Sequence, residues 1–270
     1  MRQRMAPGKL IYLDKELVET LRKGPSSVSF DFGRTFRNAS ISDLEGIPLD
    51  GIKGNFLYAW DGKELFKLAA FDEHLYRLRM LAGKPILEID GLRMHLVKQF
   101  KDVFDYSKEV CRLLQIGKGD SVLDTCTGLG YTAIAASRFA KKVVTIEKSR
   151  AALTLAEWNP WSMELFHSNN ITMIKGDSYE EVPKLKGKFT KIIHDPPRFS
   201  RAGHLYSAEF YRRLASVSAE GALLFHYFGS LGTGRRGVSV EIRRRLAGSG
   251  WEVINANRLL QGCLARKADY

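Results

Sequence analysis

The chain has 270 residues, 44% of them hydrophobic and 11% aromatic, so it is long and apolar enough to bury a sizeable core. These values exclude intrinsic disorder, and no run approaches the roughly 18 apolar residues that a membrane-spanning helix needs. The first residues are basic without an apolar segment, so we expect no signal peptide or membrane anchor and a cytoplasmic location.

The net charge of +12 is concentrated in the second part of the chain. Residues 1–105 hold 17 basic and 15 acidic side chains, a net +2, whereas residues 106–270 hold 25 and 15, a net +10. A basic field favours polyanions, of which nucleic acid is the commonest, although a charge-rich surface also promotes solubility.

The cysteines and histidines predict neither a disulfide framework nor a metal site. The three cysteines are widely spaced, and three histidines of the second half lack a fixed ligand spacing. We expect reduced thiols at Cys111, Cys126 and Cys263 and no metal. His194, His204 and His226 are expected to be core or hydrogen-bonding residues.

Residues 1–104 are predicted to form a small α+β domain. Short segments with strand character are separated by turn signals such as Asp50-Gly51 and Asp90-Gly91. These segments read LIYL, SVSFDF, NFLYAW and PILEID. Between them, residues 63–83 place several leucines near a period of 3.6 residues, which predicts one helix that ends at Gly83.

From residue 105 the pattern changes to strands that alternate with helices. It predicts a Rossmann-like, doubly wound α/β domain over residues 105–270, with ligands outside the carboxyl ends of its strands. Ser149 and Ser207 are placed to open two of the helices. The predicted strands read SVLD, KVVTIE, ITMIKGD, KIIHDPP, GALLFHYFG, WEVINAN and CLARK.

The first of these strands leads into the turn DTCTGLG, residues 124–130. Gly128 and Gly130 let a backbone pass close to a nucleotide-like cofactor, with the next helix N-terminus facing it. GLGYTA also fits the G-x-G-x-x-A dinucleotide pattern, so a nicotinamide or flavin enzyme stays as an alternative. Asp124, followed by Thr125, favours S-adenosylmethionine, because an acid can hold its cationic amino-acid end whereas a pyrophosphate would be repelled.

The next two strand ends carry further acidic residues. Glu147 follows Asp124 by 23 positions and is placed to accept hydrogen bonds from two ribose hydroxyls. Asp177, in Gly176-Asp177-Ser178, is placed to accept from an adenine amino group. The alternative for Asp177 is an ordinary helix N-cap.

As a set, these motifs resemble those of the class I S-adenosylmethionine-dependent methyltransferases. LDTCTGLG stands as the glycine motif, TIE as the ribose acid and KGDS as the adenine contact, and the resemblance covers about residues 105–270. It implies S-adenosylmethionine as the cofactor and one set of residues that bind it: Asp124, Thr125, Gly128, Gly130, Glu147, Asp177 and Ser178.

The fourth strand end, Asp195-Pro196-Pro197, resembles the D/N-P-P-Y/F motif of methyltransferases that act on amino nitrogens. An aryl or amide NH2 is a poor nucleophile because its lone pair is delocalised. The Asp195 side chain and the Pro196 carbonyl can each accept one N–H and so aim the lone pair at the methyl group. The prolines fix the direction of that carbonyl.

The motif departs from the family pattern at its fourth position, where Arg198 precedes Phe199. Either the guanidinium plane or the phenyl ring is expected to stack on the target base. A basic residue and Phe after DPP also occur in cytosine-C5 methyltransferases of ribosomal RNA. Those enzymes need a cysteine nucleophile, and none lies near Asp195 in the sequence.

Residues 198–245 contain nine arginines but only three glutamates. Arginines beside aromatic residues suit phosphate contacts and base stacking, although Arg243 to Arg245 also fit one solvated helix face. We expect a loop over residues 229–234 to carry arginines to the substrate. With Phe199, the predicted substrate contacts are Arg198, Arg201, Arg235 and Arg236.

The stretch HDPPRFSRAGHLYSAEFYRRL, followed by LLFHYFG, resembles archaeal methyltransferases and implies cytidine N4 methylation of ribosomal RNA. The predicted function is methyl transfer to an exocyclic amine of a base in RNA. Transfer of a methyl or aminopropyl group to a protein side chain or small amine is the alternative. A nicotinamide oxidoreductase and a catalytically silent RNA-binding module are the remaining ones.

Overall fold

The computed structural model describes residues 10–229 and 236–268. Within these residues, no helix is long and apolar enough to cross a membrane. The helices are α1 Lys15–Lys23, α2 Val103–Leu113, α3 Tyr131–Ser137, α4 Arg150–Glu157, α5 Met163–His167, α6 Ser178–Glu181, α7 Phe199–Ala202, α8 Ala208–Ser216 and α9 Arg236–Ala247. Short 3-10 turns cover Ile41–Leu44, Leu49–Gly51, Pro160–Ser162, Val182–Lys184 and Gly203–Tyr206.

Within the described ranges, nine strands lie in the first hundred residues and seven lie after them. The first group is β1 Ile11–Leu13, β2 Ser26–Val28, β3 Arg37–Ala39, β4 Tyr58–Trp60, β5 Leu65–Lys67, β6 Ala69–Phe71, β7 Leu75–Leu81, β8 Lys84–Ile89 and β9 Leu92–Arg93. The second group is β10 Ser121–Asp124, β11 Lys142–Glu147, β12 Ile171–Lys175, β13 Phe189–His194, β14 Ser218–Tyr227, β15 Trp251–Asn257 and β16 Gly262–Lys267.

The seven later strands form one sheet in the order β12-β11-β10-β13-β14-β16-β15. Strands β10 to β14 pair in parallel, and β16 pairs antiparallel with both β14 and β15. The strand order reverses between β10 and β13, which opens a crevice at their carboxyl ends. The predicted Rossmann-like sheet is confirmed, with the addition of an antiparallel edge.

Neighbouring residues of the central strands point to opposite faces of this sheet. One face packs against a cluster that includes α2, α3 and α4, and the other against a cluster that includes α8 and α9. The first face carries Val122, Ile193 and Phe225, and the second carries Leu123, Ile192 and Leu224. Both faces are therefore covered, as a parallel sheet requires.

Two helix starts follow directly from local chemistry. The Ser149 side chain accepts the N–H of Ala152 at the start of α4, over 3.1 Å. The Ser207 side chain accepts the N–H of Phe210 in α8, also over 3.1 Å. Both serines are the N-caps that the sequence predicts.

From residue 10 onward, the N-terminal region contains a three-stranded sheet, a two-stranded sheet, a four-stranded sheet and the α-helix α1. The predicted helix over residues 63–83 is wrong: this stretch forms β5, β6 and β7. In β7, Tyr76 and Leu78 are buried while their neighbours are more exposed, which is the two-residue period of a strand. Arg77 and Arg79 both pair with the buried Glu88 of β8 and so fix this register.

The four-stranded sheet β6-β7-β8-β9 shares a hydrophobic core with the first face of the large sheet. Leu78 and Ile86 belong to the same buried cluster as Val110 and Ile134. A separate cluster, with Leu21 and Leu44, lies within the N-terminal region. The N-terminal region is therefore packed against the larger domain, and the boundary at residue 104 stays a prediction.

Candidate active site

A cavity of about 860 Å³ lies where β10, β11 and β13 end. Its wall combines the predicted cofactor and catalytic segments with side chains from the N-terminal region. Of the residues predicted for the site, those on the wall are Gly128, Glu147, Asp195, Pro196, Pro197, Arg198 and Phe199. This size is within the usual range for cofactor and substrate sites.

The glycine turn and the end of β11 are joined by one carboxylate. Glu147 accepts the backbone N–H of Gly128 through Oε2 and that of Ser149 through Oε1, each over 2.8 Å. Gly128 has a φ of 53°, and a Cβ built on it would meet no atom within 4 Å. The turn therefore exposes backbone to the cavity, and Glu147 is held in place beside it.

Gly130 has a different role in the same turn. Its φ is 80°, and a Cβ there would lie 2.7 Å from Leu165 Cδ2. A side chain at this position would force Leu165 to shift. Gly130 thus allows close packing of the turn, and its predicted contact with the cofactor stays a prediction.

Asp124 and Thr125 are buried and are not among the described residues that line the cavity. Asp124 Oδ2 accepts the hydroxyls of Thr132 and Thr145, over 3.2 and 3.0 Å. Burial raises the pKa of Asp124 to about 7. Thr125 joins β10 to β13 instead, through its hydroxyl and Nδ1 of His194 at 2.8 Å.

Asp177 is the N-cap of α6, because its side chain accepts the N–H of Tyr179 over 2.9 Å. It also lies 3.2 Å from Lys148 Nζ and 3.4 Å from His204 Nε2. Ser178 donates to the backbone oxygen of Thr125. Neither Asp177 nor Ser178 is on the described cavity wall, so their contact with adenine stays a prediction.

Asp195 presents a carboxylate to the cavity, and Tyr106 of α2 holds it. The Tyr106 hydroxyl donates to Asp195 Oδ2 over 3.0 Å. Burial raises the pKa of Asp195 to about 7, and this hydrogen bond acts in the opposite direction. The following prolines are also positioned by a tyrosine, since Tyr206 donates its hydroxyl to the Pro197 carbonyl over 3.0 Å.

The structure divides the predicted substrate contacts. Arg198 and Phe199 line the cavity, and the Phe199 side chain is 45% exposed at its edge. Arg201 is not on the described wall: its Nη2 pairs with Asp90 Oδ2 over 2.9 Å and joins α7 to the N-terminal region. Arg235 lies outside the described residues, and of Arg236 only its place at the start of α9 is described.

Sequence reasoning missed the contribution of the N-terminal region to this cavity. The last residue of β9 and the segment after it line the cavity with Arg93, Met94, His95 and Leu96. His95 Nδ1 accepts the N–H of Leu87 over 3.2 Å, and burial lowers the pKa of His95 to about 4. Arg93, an isolated basic residue next to a glycine turn, gave no signal in the sequence.

Cys126 lines the same cavity as Asp195, although the two are distant in sequence. Burial, with the charges of Glu147 and Asp124, holds the pKa of its thiol well above the ordinary value. A cytosine-C5 mechanism needs a thiolate. The thiol of Cys126 is therefore close to the site but poorly suited to be the nucleophile.

The buried histidines serve the sheet. His194 Nε2 lies 3.0 Å from the Leu205 carbonyl, and His226 Nε2 lies 2.8 Å from the Tyr211 hydroxyl. Burial lowers the pKa of His194 to about 3. Within the described ranges, no group of three or more metal-ligating side chains is found.

The residues present fit S-adenosylmethionine. The cavity offers a fixed carboxylate for a ribose diol in Glu147 and an open backbone turn at Gly128. A 3-2-1-4-5-7-6 sheet order, with this turn after its first strand, defines the class I methyltransferase fold. This fold implies S-adenosylmethionine as the cofactor.

Comparison with known proteins gives the family. The profile of the family described as "Conserved hypothetical protein 95" matches residues 90–212. The chain is 42% identical to the "Uncharacterized protein MJ1233" of Methanocaldococcus jannaschii over 205 residues, 76% of this chain and 69% of that protein. The chain belongs to the family of this archaeal protein.

Two further similarities cover less sequence or only the fold. The "Probable ribosomal RNA small subunit methyltransferase A" of Pyrococcus abyssi is 31% identical over 131 residues, 43% of this chain and 44% of that protein. The spermidine synthase structure from Thermotoga maritima is 15% identical, with a TM-score of 0.57 over 76% of this chain and 74% of that one. The latter shows a shared fold.

Proposed function

We propose that the protein is an S-adenosylmethionine-dependent methyltransferase acting on an exocyclic amine of a base in RNA, with ribosomal RNA and cytidine N4 favoured. The observation that carries the proposal is one cavity lined by Gly128, Glu147 and Asp195. The features suited to the cofactor and the carboxylate suited to an amino group thus face the same space.

The chain's own residues would orient the nitrogen. Asp195 would accept one N–H and the Pro196 carbonyl the other, which leaves the nitrogen lone pair directed away from both. Tyr106 keeps the Asp195 carboxylate in one position through its hydrogen bond. S-adenosylmethionine, when bound, supplies an electrophilic methyl group. Asp195, with a pKa raised to about 7, is suited to take the proton that the nitrogen loses.

Positive charge on the cavity wall supports a phosphate-bearing substrate. Arg93 and Arg198 line the cavity from the N-terminal region and from the segment after β13. Arg245 also lines it and shares the carboxylate of Glu241 with Arg244, at 2.9 and 3.0 Å. Phe199, partly exposed at the edge, offers a ring on which a base can stack. A base taken out of a stack would cost about a few kcal/mol, which phosphate contacts can offset.

One relative supports RNA as the substrate class. The Pyrococcus abyssi protein, which is similar to 43% of this chain, is named as a probable ribosomal RNA methyltransferase. Cytidine N4 is favoured because the HDPPRFSRAGHLYSAEFYRRL stretch resembles archaeal enzymes with that target. An adenine amino group offers the same two N–H donors. Methylation of adenine would change the target base but not the proposed chemistry.

Transfer to a small amine is the second candidate, since a spermidine synthase shares the fold. A polycation would have to enter beside Arg93 and Arg198, which repel it. Ribonuclease treatment of the substrate separates the two: loss of methyl transfer supports RNA, and activity insensitive to ribonuclease supports the amine. A nicotinamide enzyme would instead be stabilised against heat by the nicotinamide cofactor and not by S-adenosylmethionine.

The decisive experiment is nucleoside mass spectrometry of RNA from cells with and without the gene. We expect one N4-methylated cytidine species to disappear and to return with the wild-type gene but not with an Asp195→Ala variant. Loss of a methylated adenosine would correct the base. RNA with an unchanged set of methylated nucleosides would contradict the proposal.

A further inference from the structure

A second cavity, of about 270 Å³, lies where the N-terminal region meets α2, α3 and α5. It is smaller than most small-molecule sites, which begin near 300 Å³. Its wall is rich in cations and includes one indole ring, that of Trp161. The four cations come from separate elements: Arg34, Lys84, Lys108 and Arg138.

The two carboxylates on this wall pair with only one of its four cations, so positive charge is in excess there. Asp102 caps α2 by accepting the N–H groups of Phe104 and Asp105, over 2.9 and 3.0 Å. Glu164 pairs with Arg138, with 2.8 Å between Oε1 and Nη2. Among residues 10–229 and 236–268, no carboxylate lies within 4 Å of the charged atoms of the other three cations, Arg34, Lys84 and Lys108.

Neutral groups hold two of these cations in place. Arg34 Nη1 donates to the Pro160 carbonyl over 2.6 Å. Lys84 Nζ lies 3.8 Å from the centre of the Trp161 ring, a cation–π contact. Trp161 is itself fixed, since its Nε1 donates to the Phe32 carbonyl over 2.8 Å. These contacts orient positive charge without neutralising it, which leaves the cavity suited to an anion.

We propose that this cavity binds a phosphate group of the RNA backbone, an inference that rests on the proposed function. A base cannot stack on the Trp161 ring. Lys84 lies over the ring, and the Phe104 ring packs against it with 5.2 Å between centroids. The site therefore suits a phosphate and would position RNA without reading its sequence.

Helix α2 connects the two cavities. Tyr106 and Ser107 line the large cavity, whereas Phe104 and Lys108 line the small one. At about 100° per residue, Lys108 and Tyr106 lie roughly 200° apart, on opposite sides of a helix about 10–12 Å in diameter. An RNA that places a base in the large cavity can thus reach the small one with a nearby phosphate.

The test is a double variant, Lys84→Gln with Lys108→Gln, measured for RNA binding at several salt concentrations. We expect about a tenfold weaker affinity at low salt, and a slope of log K against log salt that is smaller by about one to two. The affinity for S-adenosylmethionine and the melting temperature should stay unchanged. Lys108 is exposed, so Lys108→Gln alone leaves the Lys84–Trp161 contact intact. This single variant should still show part of the loss of RNA affinity, which would then not be due to a loss of that contact.

Lys63→Gln with Lys118→Gln is the matched control, because both lysines are exposed and line neither cavity. An equal effect of the control would overturn the inference, as would wild-type RNA affinity and salt slope in the Lys84/Lys108 variant. Inorganic phosphate tests the other source of the ligand: saturable binding that is lost in the variant, with RNA affinity unchanged, would assign the cavity to free phosphate. A wild-type protein that binds no RNA would instead contradict the proposed function.

Discussion

The Tyr106 hydroxyl donates to Asp195 Oδ2 over 3.0 Å and joins the helix before the sheet to the carboxylate after β13. The two residues are 89 positions apart. This hydrogen bond acts against burial, which raises the pKa of Asp195 to about 7. Tyr106 is thus a positioning residue that also tunes the acid at the candidate catalytic centre.

Methyl transfer should depend on pH through Asp195. Only the ionised carboxyl can take the proton that the amino nitrogen loses, so kcat/KM should rise with pH until about pH 7 and then level off. In Tyr106→Phe the ionised form loses a hydrogen bond of about 1.5 kcal/mol, which shifts this midpoint upward by about one pH unit. The measurement is a pH profile of both proteins. An unchanged midpoint would show that Tyr106 does not act on Asp195.

Asp195→Asn keeps an oxygen that accepts the amino N–H, as the D/N-P-P-Y/F motif allows, but it cannot take the proton. It should lower activity by less than Asp195→Ala and should not lower stability. In Asp195→Ala, loss of one preorganised hydrogen-bonding partner costs about 10²- to 10³-fold in rate. The carboxyl ordinarily ionises at 3.8 but at about 7 in the folded chain. Between these values the folded state keeps a proton that the unfolded state has lost, so this group lowers the free energy of unfolding as pH rises.

The Asn variant lacks that penalty. Its melting temperature relative to the wild type should therefore be higher at pH 8 than at pH 4. Thermal unfolding of both proteins at the two pH values measures this. If the melting temperatures of the two proteins differ by the same amount at pH 4 and at pH 8, the result argues against a buried, ionised Asp195.

The two glycines of the cofactor turn should respond differently to alanine. Both have a left-handed φ, which costs about 1–2 kcal/mol. Gly130→Ala adds an overlap with Leu165, about 1–3 kcal/mol more, and should lower the melting temperature further. Gly128→Ala places its Cβ in open space beside the cavity and should mainly weaken cofactor affinity. Restoration of stability in Gly130→Ala by Leu165→Ala would confirm the overlap; a Gly128→Ala protein with wild-type cofactor affinity would contradict its role.

Arg201 should behave as a structural residue rather than as an RNA contact. Its ion pair with Asp90 ties α7, the helix after the catalytic motif, to the β8–β9 turn. Asp90→Asn keeps an acceptor for the Leu75 N–H. We expect Arg201→Gln and Asp90→Asn to lower the melting temperature, and the double variant to lower it by less than their sum. RNA affinity that falls in Arg201→Gln but not in Asp90→Asn would restore the predicted substrate contact.

The prediction from sequence was wrong over residues 63–83, where the pattern fits both a helical and a strand period. Over residues 63–83 the leucines satisfy a helical period, yet Tyr76 and Leu78 of β7 are the buried positions and alternate with Arg77 and Arg79. Both arginines pair with Glu88, nine and eleven positions away, and these contacts between β7 and β8 stabilise the strand structure. Such cross-strand contacts cannot be read from one segment alone.

Local chemistry and spacing were sufficient for the larger domain. Ser149 and Ser207 cap helices through bonds to residues three positions on, and Asp195-Pro196-Pro197 follows a buried strand whose end faces the crevice. The alternation of strands and helices therefore predicted the Rossmann-like sheet and the edge at which Asp195 lies, because each signal depends on neighbours in the chain.

Only the tertiary structure decided which side chains share the cavity. It brought Tyr106 to Asp195, placed Arg93 and Cys126 on the same wall and turned Arg201 toward Asp90. It also placed Asp124 behind the wall, where burial raises its pKa. These relationships depend on packing between elements that are far apart in the chain, and on how much water that packing removes from each side chain. Neither can be predicted from the spacing of residues in the sequence.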